Sequence, residues 1–203
     1  VGCVLDANIT SLSGSKVSGL IPVASVPAGS QNYIHNSGVV QGGDFNIDGD
    51  GVAEVFSARS QYNIGNNRVL SVISGSASTF TGINAGTSST GTANSFFGHA
   101  AGGGPTNSGS GNSFFGERAG ALNTTGSGNS FFGSPAGVNN SSGGADSFFG
   151  ASAGQSNTTG ASNSYFGVQA GFTNTAGSNN TFFGRGAGVA NTQNDNSFFG
   201  TFA

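Results

Sequence analysis

Residues 112–128 read NSFFGERAGALNTTGSG, and a close copy of these 17 letters follows at once from Asn129. The first aromatic of the unit recurs at Phe80, Phe96, Phe114, Phe131, Phe148, Tyr165, Phe182 and Phe198, in steps of 16, 18, 17, 17, 17, 17 and 16 residues. Two residues later stands a glycine in all eight copies, from Gly82 to Gly200, and five residues later an alanine, from Ala85 to Ala203. A unit this short cannot form a helical hairpin, and each interior glycine costs a helix about 1 kcal/mol relative to alanine. The pattern predicts an all-β chain whose repeats are coils of a parallel β-solenoid or β-roll, seven to eight coils of 16–18 residues. Short strands are expected at SFF and around NTT, with turns at the glycines, which reach positive φ without steric cost.

The aromatic pair carries the expectation about assembly. Consecutive residues of a strand point to opposite faces, so only one ring of each pair can enter its own coil. The pairs are Phe96 and Phe97, Phe114 and Phe115, Phe131 and Phe132, Phe148 and Phe149, Tyr165 and Phe166, Phe182 and Phe183, and Phe198 and Phe199. One ring of each is expected inside and the other in an external stripe larger than a soluble monomer normally shows. At about 1.5–3 kcal/mol per buried Phe, such a stripe represents about 10–20 kcal/mol of association drive before entropy is subtracted. The alternative is a bulged corner that holds both rings inside one coil. Divergent rings favour a homo-oligomer, a parallel trimer or a filament, with the stripes at a common axis. Asn or Asp precedes the first ring by two residues in seven copies (Asn94, Asn112, Asn129, Asp146, Asn163, Asn180, Asn196). Stacked one per coil, these are expected to form a hydrogen-bonded ladder at a corner, where Asn tolerates the left-handed conformation.

Composition removes other classes. The 203 residues include 38 Gly, 18 Phe, five basic and eight acidic residues, for a net charge of −3. Five scattered cations give no footprint for a phosphate backbone, so nucleic acid is not an expected partner. No apolar run approaches the roughly 20 residues of a membrane-spanning helix, so no membrane insertion is expected within this segment. Cys3 alone makes neither an internal disulfide nor a zinc site, and is expected to pack as a small hydrophobe, with lipid attachment the alternative. The chain begins at Val1 and stops inside a repeat, as a segment of a longer polypeptide would. Ahead of the array, residues 1–43, with Pro22 and Pro27, read as an extended arm. Residues 44–78, with strand-like stretches at Val52–Phe56, Tyr62–Ile64 and Val69–Ile73, read as a small β-region capping the array of residues 79–203.

The repeat resembles a known family. NSFFGxxAG resembles the head repeats of trimeric autotransporter adhesins, and is similar to the NTxxGxxAGxxNTTG arrays of bacterial and phage tail-fibre-type surface proteins. The likeness covers residues 79–203, and SLSGSKVSGLIPVASVPAG (11–29) with Asn32, Tyr33 and Ile34 is similar to the segment that precedes such arrays. It implies a homotrimeric fibre outside the cell, at a cell surface or on a virion tail. This unit is longer than the adhesin head repeat, and its aromatic pair replaces alternating small aliphatics.

Other strings are weighed for chemistry. Asp44, Asn46, Asp48, Gly49 and Asp50 match the start of a calcium loop, D-x-N-x-D-G, but Val55 stands where the closing acid belongs, and a tight Asp/Gly turn explains the same string. No cofactor is expected unless it is that calcium ion. GASAG (150–154) matches a nucleophile elbow, yet Ser152 is replaced by Asn84, Ala100, Arg118, Pro135, Gln169, Gly186 and Phe202 in the other copies, so no enzyme is expected. His35 and His99 have no companions at ligand spacing. The variable positions Arg118, Pro135, Ser152, Gln169 and Arg185 are the candidates for contacting a receptor, glycan or neighbouring filament. A second function class is an ice- or glycan-binding solenoid using the Thr and Asn rows of Asn123–Gly126 and Asn157–Gly160, which also fit N-glycosylation sequons. The Thr row is interrupted at Ser141, Ser142, Ala176 and Gln193.

Overall fold

The computed structural model describes residues 61–64, 67–73 and 75–203. All of them lie in the unit Ser57–Ala203. The expected arm of residues 1–43, the Asp44/Asn46/Asp48/Asp50 loop, Val52–Phe56, Cys3 and His35 lie outside the described residues.

The described chain is a β-solenoid. One sheet holds ten strands in sequence order. They are β1 (Gln61–Ile64), β2 (Asn67–Ile73), β3 (Ser78–Thr81), β4 (Ser95–Phe97), β5 (Ser113–Phe115), β6 (Ser130–Phe132), β7 (Ser147–Phe149), β8 (Ser164–Phe166), β9 (Thr181–Phe183) and β10 (Ser197–Phe199). β1, β2 and β3 pair antiparallel, and β3 to β10 pair parallel, first ring against first ring. From β4 onward each coil therefore contributes a single three-residue strand, and the rest of it is turn apart from one isolated parallel bridge, Ser89 with Asn107.

The NTT segment does not form the second strand expected for it. The N–H groups of Thr124, Thr125 and Gly126 converge on one acceptor, the Ser141 carbonyl, at 2.9, 3.0 and 3.3 Å. Converging donors fold the backbone into a bend, and a strand would spread them along a ladder. Coils are joined instead at several separate points around the winding, for instance by Gly120 N–H to Ala136 O and Leu122 N–H to Val138 O, both 3.0 Å, and by Gly128 N–H to Ser110 O at 2.9 Å.

Two glycines of each coil have no substitute. Gly133 ends β6 at φ 140°, and a Cβ there would stand 2.5 Å from the Gly150 carbonyl oxygen of the next coil. Gly137, at φ 53°, lets the Phe131 ring lie against its backbone, and a Cβ would stand 2.5 Å from a ring carbon. The aromatic interior and the glycine repeat are thus one steric requirement. The corner before each strand differs from the expectation. Left-handed φ belongs to the residue three before the first ring, such as Ala145 (56°), Ser162 (59°) or Asn179 (60°), and the Asn or Asp that follows is held for its hydrogen bonds.

Candidate self-association face and the buried polar ladders

The rings of each pair diverge. Phe96, Phe114, Phe131, Phe148, Tyr165 and Phe182 are fully buried, and the strands alternate with the middle residue inside. The bulged-corner alternative is not what forms. Inside, the rings make a column with centroids 4.7–4.8 Å apart from Phe96 to Phe182. Outside, Phe97, Phe115, Phe132, Phe149 and Phe166 make a second column at 4.7–4.9 Å with planes within 8° of parallel. Parallel in-register strands impose this spacing on both faces.

Stacking also changes the size of the outer stripe. Each ring covers its neighbours' faces, so Phe115, Phe132, Phe149 and Phe166 are half-buried, while Phe97 and Phe183 are 37% and 56% exposed. What faces outward is a ridge of ring edges, and the association drive is smaller than a count of wholly wetted rings would give.

Two ladders of buried amides line the interior. In the first, the N–H of Asn112, Asn129, Asp146, Asn163, Asn180 and Asn196 each donates to the side-chain oxygen one coil earlier, at 2.8–3.0 Å. The Nδ2 of Asn94, Asn112, Asn129 and Asn163 donates to Gly109, Gly126, Gly143 and Gly177 O, each at 2.9 Å. The second ladder is formed by the Asn of the NTTG segments. Asn123 Nδ2 donates to Asn107 Oδ1, Asn140 to Asn123 and Asn157 to Asn140, at 3.0–3.1 Å. This second row was readable as an Asn nine residues after the ring in most copies, a signal hidden by the turn-like letters around it.

One acid interrupts the pattern. Asp146 takes an Asn position of the first ladder and is fully buried; its Oδ1 accepts from Asn163 N–H at 2.8 Å and its Oδ2 from Asn157 Nδ2 at 3.2 Å. Burial pushes its carboxyl from 3.8 up to about 7, against the opposing pull of those hydrogen bonds. One coil on, Tyr165 places a hydroxyl in the inner ring column. Burial, with the Asp146 charge adding to it, raises this phenol above its ordinary range. The second ladder stops there: Asn174 turns its Oδ1 to Gly177 N–H at 2.7 Å. Asn157 Oδ1, Tyr165 OH and Asn174 Nδ2 make no well-formed hydrogen bond within the protein, and the Asn180 and Asn174 side chains near the phenol only partly offset the effect of its burial.

The remaining candidates sit at the turns. Arg118 is exposed, and Pro135, Ser152 and Gln169 are intermediate; all four stand four residues after their rings, where Arg118, Ser152 and Gln169 adopt φ of 56–60°. Arg185 falls one residue earlier in its coil, so the five do not form one row; its guanidinium lies 5.0 Å over the Phe202 ring. The Thr row is engaged as well: Thr124, Ser141 and Thr158 donate their hydroxyls to Ser141, Thr158 and Thr175 O at 2.8–2.9 Å. The sequon residues Asn123 and Asn157 are fully buried. Among the described residues no cluster of three His, Cys, Asp or Glu could hold a metal ion, and no helix is long and apolar enough to cross a membrane. The chain matches no protein-family profile, no curated protein and no solved structure.

Proposed function

We propose that this chain is a structural element of an extracellular fibre or filament, a rod that associates with copies of itself through its outward Phe column. The observation that carries this is the column from Phe97 to Phe199, a continuous uncharged aromatic ridge along the sheet face. Apolar surface gathered in one stripe favours a partner that covers it, and another copy always offers the same uncharged face to do so. The role is mechanical, with no catalytic step, and its setting is a cell surface or a virion tail.

Ice binding is disfavoured by the engaged hydroxyls of Thr124 and Thr158 and by the burial of the Asn rows. An adhesin would use Arg118, Pro135, Ser152, Gln169 and Arg185 to contact a receptor or glycan, whereas replacing them in a passive filament alters at most bundling.

Native mass measurement across a concentration series tests the proposal. The expected result is an oligomer or polymer that Phe132→Lys with Phe149→Lys converts to a folded monomer. A wild-type chain that stays monomeric at several hundred micromolar would sink it.

A further inference from the structure

The outer face of the sheet carries two columns of different height. One begins at Leu70 and Thr81 and continues as the rings from Phe97 to Phe199; the other begins at Val72 and Thr79 and continues as the hydroxyl residues from Ser95 to Ser197. They are two residues apart on each strand, so about 7 Å separates the ridge of rings from the trough of serines. No charged residue stands in either column from β3 to β10. From β4 to β8 the outward rings stack almost without rotation, and the tilt rises to 25–27° only between Phe166 and Phe199. Neighbouring outward rings from Phe97 to Phe166 tilt by only 4–8°, whereas adjacent strands usually rotate by about 20–25°.

We infer that, given the self-association proposed above, the copy that covers this face is parallel to the first and related to it by a two-fold axis along the rod. Each copy's Phe ridge then fills the other's Ser trough. The argument is one of symmetry. A two-fold axis parallel to the rod exchanges left and right while keeping height, so ridge meets trough on both sides and in every coil. A two-fold axis across the rod reverses direction without exchanging left and right. It sets ring against ring and serine against serine. Packed sheets stand about 10 Å apart, too close for two opposed Phe side chains and too far for two opposed serines. A three-fold axis brings only one column per copy to the centre and leaves the other wet.

The parallel mate also places Leu70 of one copy against Val72 of the other, the two exposed aliphatics on β2, 40% and 49% accessible. Uncharged columns allow identical faces to meet in register without like-charge repulsion. Eight parallel strands give a strip about 38 Å long, and a width of about 12 Å makes roughly 900 Å² over both copies, below the roughly 1,200 Å² at which stable interfaces begin and in the range of weak, transient ones. The pair is therefore expected to be weak for this length and to tighten with every further coil.

Spin-label distances between copies test the geometry, in a Cys3→Ser background. Cysteine placed singly at Glu117, Ser134, Ala151 or Val168 samples the same turn position in successive coils. A parallel mate gives one inter-copy distance common to all four sites. An antiparallel mate gives heights that change by about 10 Å per coil, which overturns the inference. Native mass must read a dimer; a trimer also overturns it while leaving self-association intact, whereas a monomer at all concentrations removes both. Ser147→Leu, which fills the trough from outside the fold, is expected to weaken the dimer about tenfold at unchanged melting temperature. Unchanged dimerisation in that variant would count against ridge-into-trough packing.

Discussion

Phe148 and Phe149 are neighbours in sequence, share one strand and stack equally closely, at 4.8 and 4.7 Å, on the preceding coil. Yet the first is wholly buried and the second lies half in solvent. Stacking distance follows from the parallel ladder and is the same on both faces; what differs is whether the interior closes over the ring. The inward side is closed by Ala153, by Gly154 and by the amide ladders, so each residue there is specified by its neighbours. The outward side specifies only that a ring should follow a ring.

Breaking the comparison directly gives the largest expected effect. Phe148→Ala should cost about 3–5 kcal/mol in denaturant unfolding, as large-to-small changes of buried aromatics do, and Phe149→Ala about 1 kcal/mol or less for the isolated chain. Equal losses would mean that stacking, not burial, holds the coils. The next effect is a pH dependence found only on the inward side. Asp146 releases its proton near 3.8 when unfolded and near 7 when folded. Between those values the folded chain binds more protons, so stability falls as pH rises from about 4 to about 7, by on the order of 2–4 kcal/mol, and then levels off. Asp146→Asn restores the amide that other coils carry, and melting curves across that range should lose the acid-side advantage.

Smaller changes sharpen the contrast. Tyr165→Phe removes the one hydroxyl of the inner ring column and should raise stability by up to about 1 kcal/mol, because a buried hydroxyl that the Asn180 and Asn174 amides approach without a well-formed hydrogen bond is a net cost. A loss of stability would show the hydroxyl to be satisfied in solution. On the outward turn, Arg118 and Gln169 donate their N–H groups to His99 and Ala151 O, each at 2.9 Å, and Pro135 at the same place has no N–H to give. Pro135→Asn can take the left-handed φ of its equivalents and donate to Glu117 O. A gain of about 0.5 kcal/mol is expected by calorimetry, the smallest effect here.

Much of the architecture could be read from letters because the same steric rules repeat in every coil. Phe-Phe-Gly announced a short strand with diverging rings, and the period of about 17 residues set the coil. The letters NTT suggest a second strand because Thr favours strands, while the side chain of Asn123, donating to Gly126 O at 2.9 Å, favours the bend that forms. The second amide ladder was missed for a related reason. Asn in a Gly/Thr string looks like surface punctuation, and only stacking shows that Asn107, Asn123, Asn140 and Asn157 are buried and linked amide to amide, with Asn107 Nδ2 and Asn157 Oδ1 left over at the two ends. Arg118, Ser152 and Gln169 were recognisable as unconstrained turn positions, but Arg185 was grouped with them although it stands one residue out of step. Asp146 was visible as a member of its row, and what burial does to its proton was not.

The coil from Phe96 to Phe114 contains 18 residues, and those beginning at Phe80 and Phe182 contain 16, yet strand pairing stays one-to-one on both sides of them. The long coil places Asn107 eleven residues after its ring where Asn123 stands nine after its own, the surplus falling in Gly103–Thr106, and it drops the second Thr of the NTT bend. These two turns act as expansion joints. Since closing a longer loop costs little more than closing a short one, a graft of a dozen residues between the exposed Pro105 and Thr106, past the tightly packed Gly103 and Gly104, would hang from the rod without disturbing its winding, so the scaffold can acquire side branches while its axis stays unchanged.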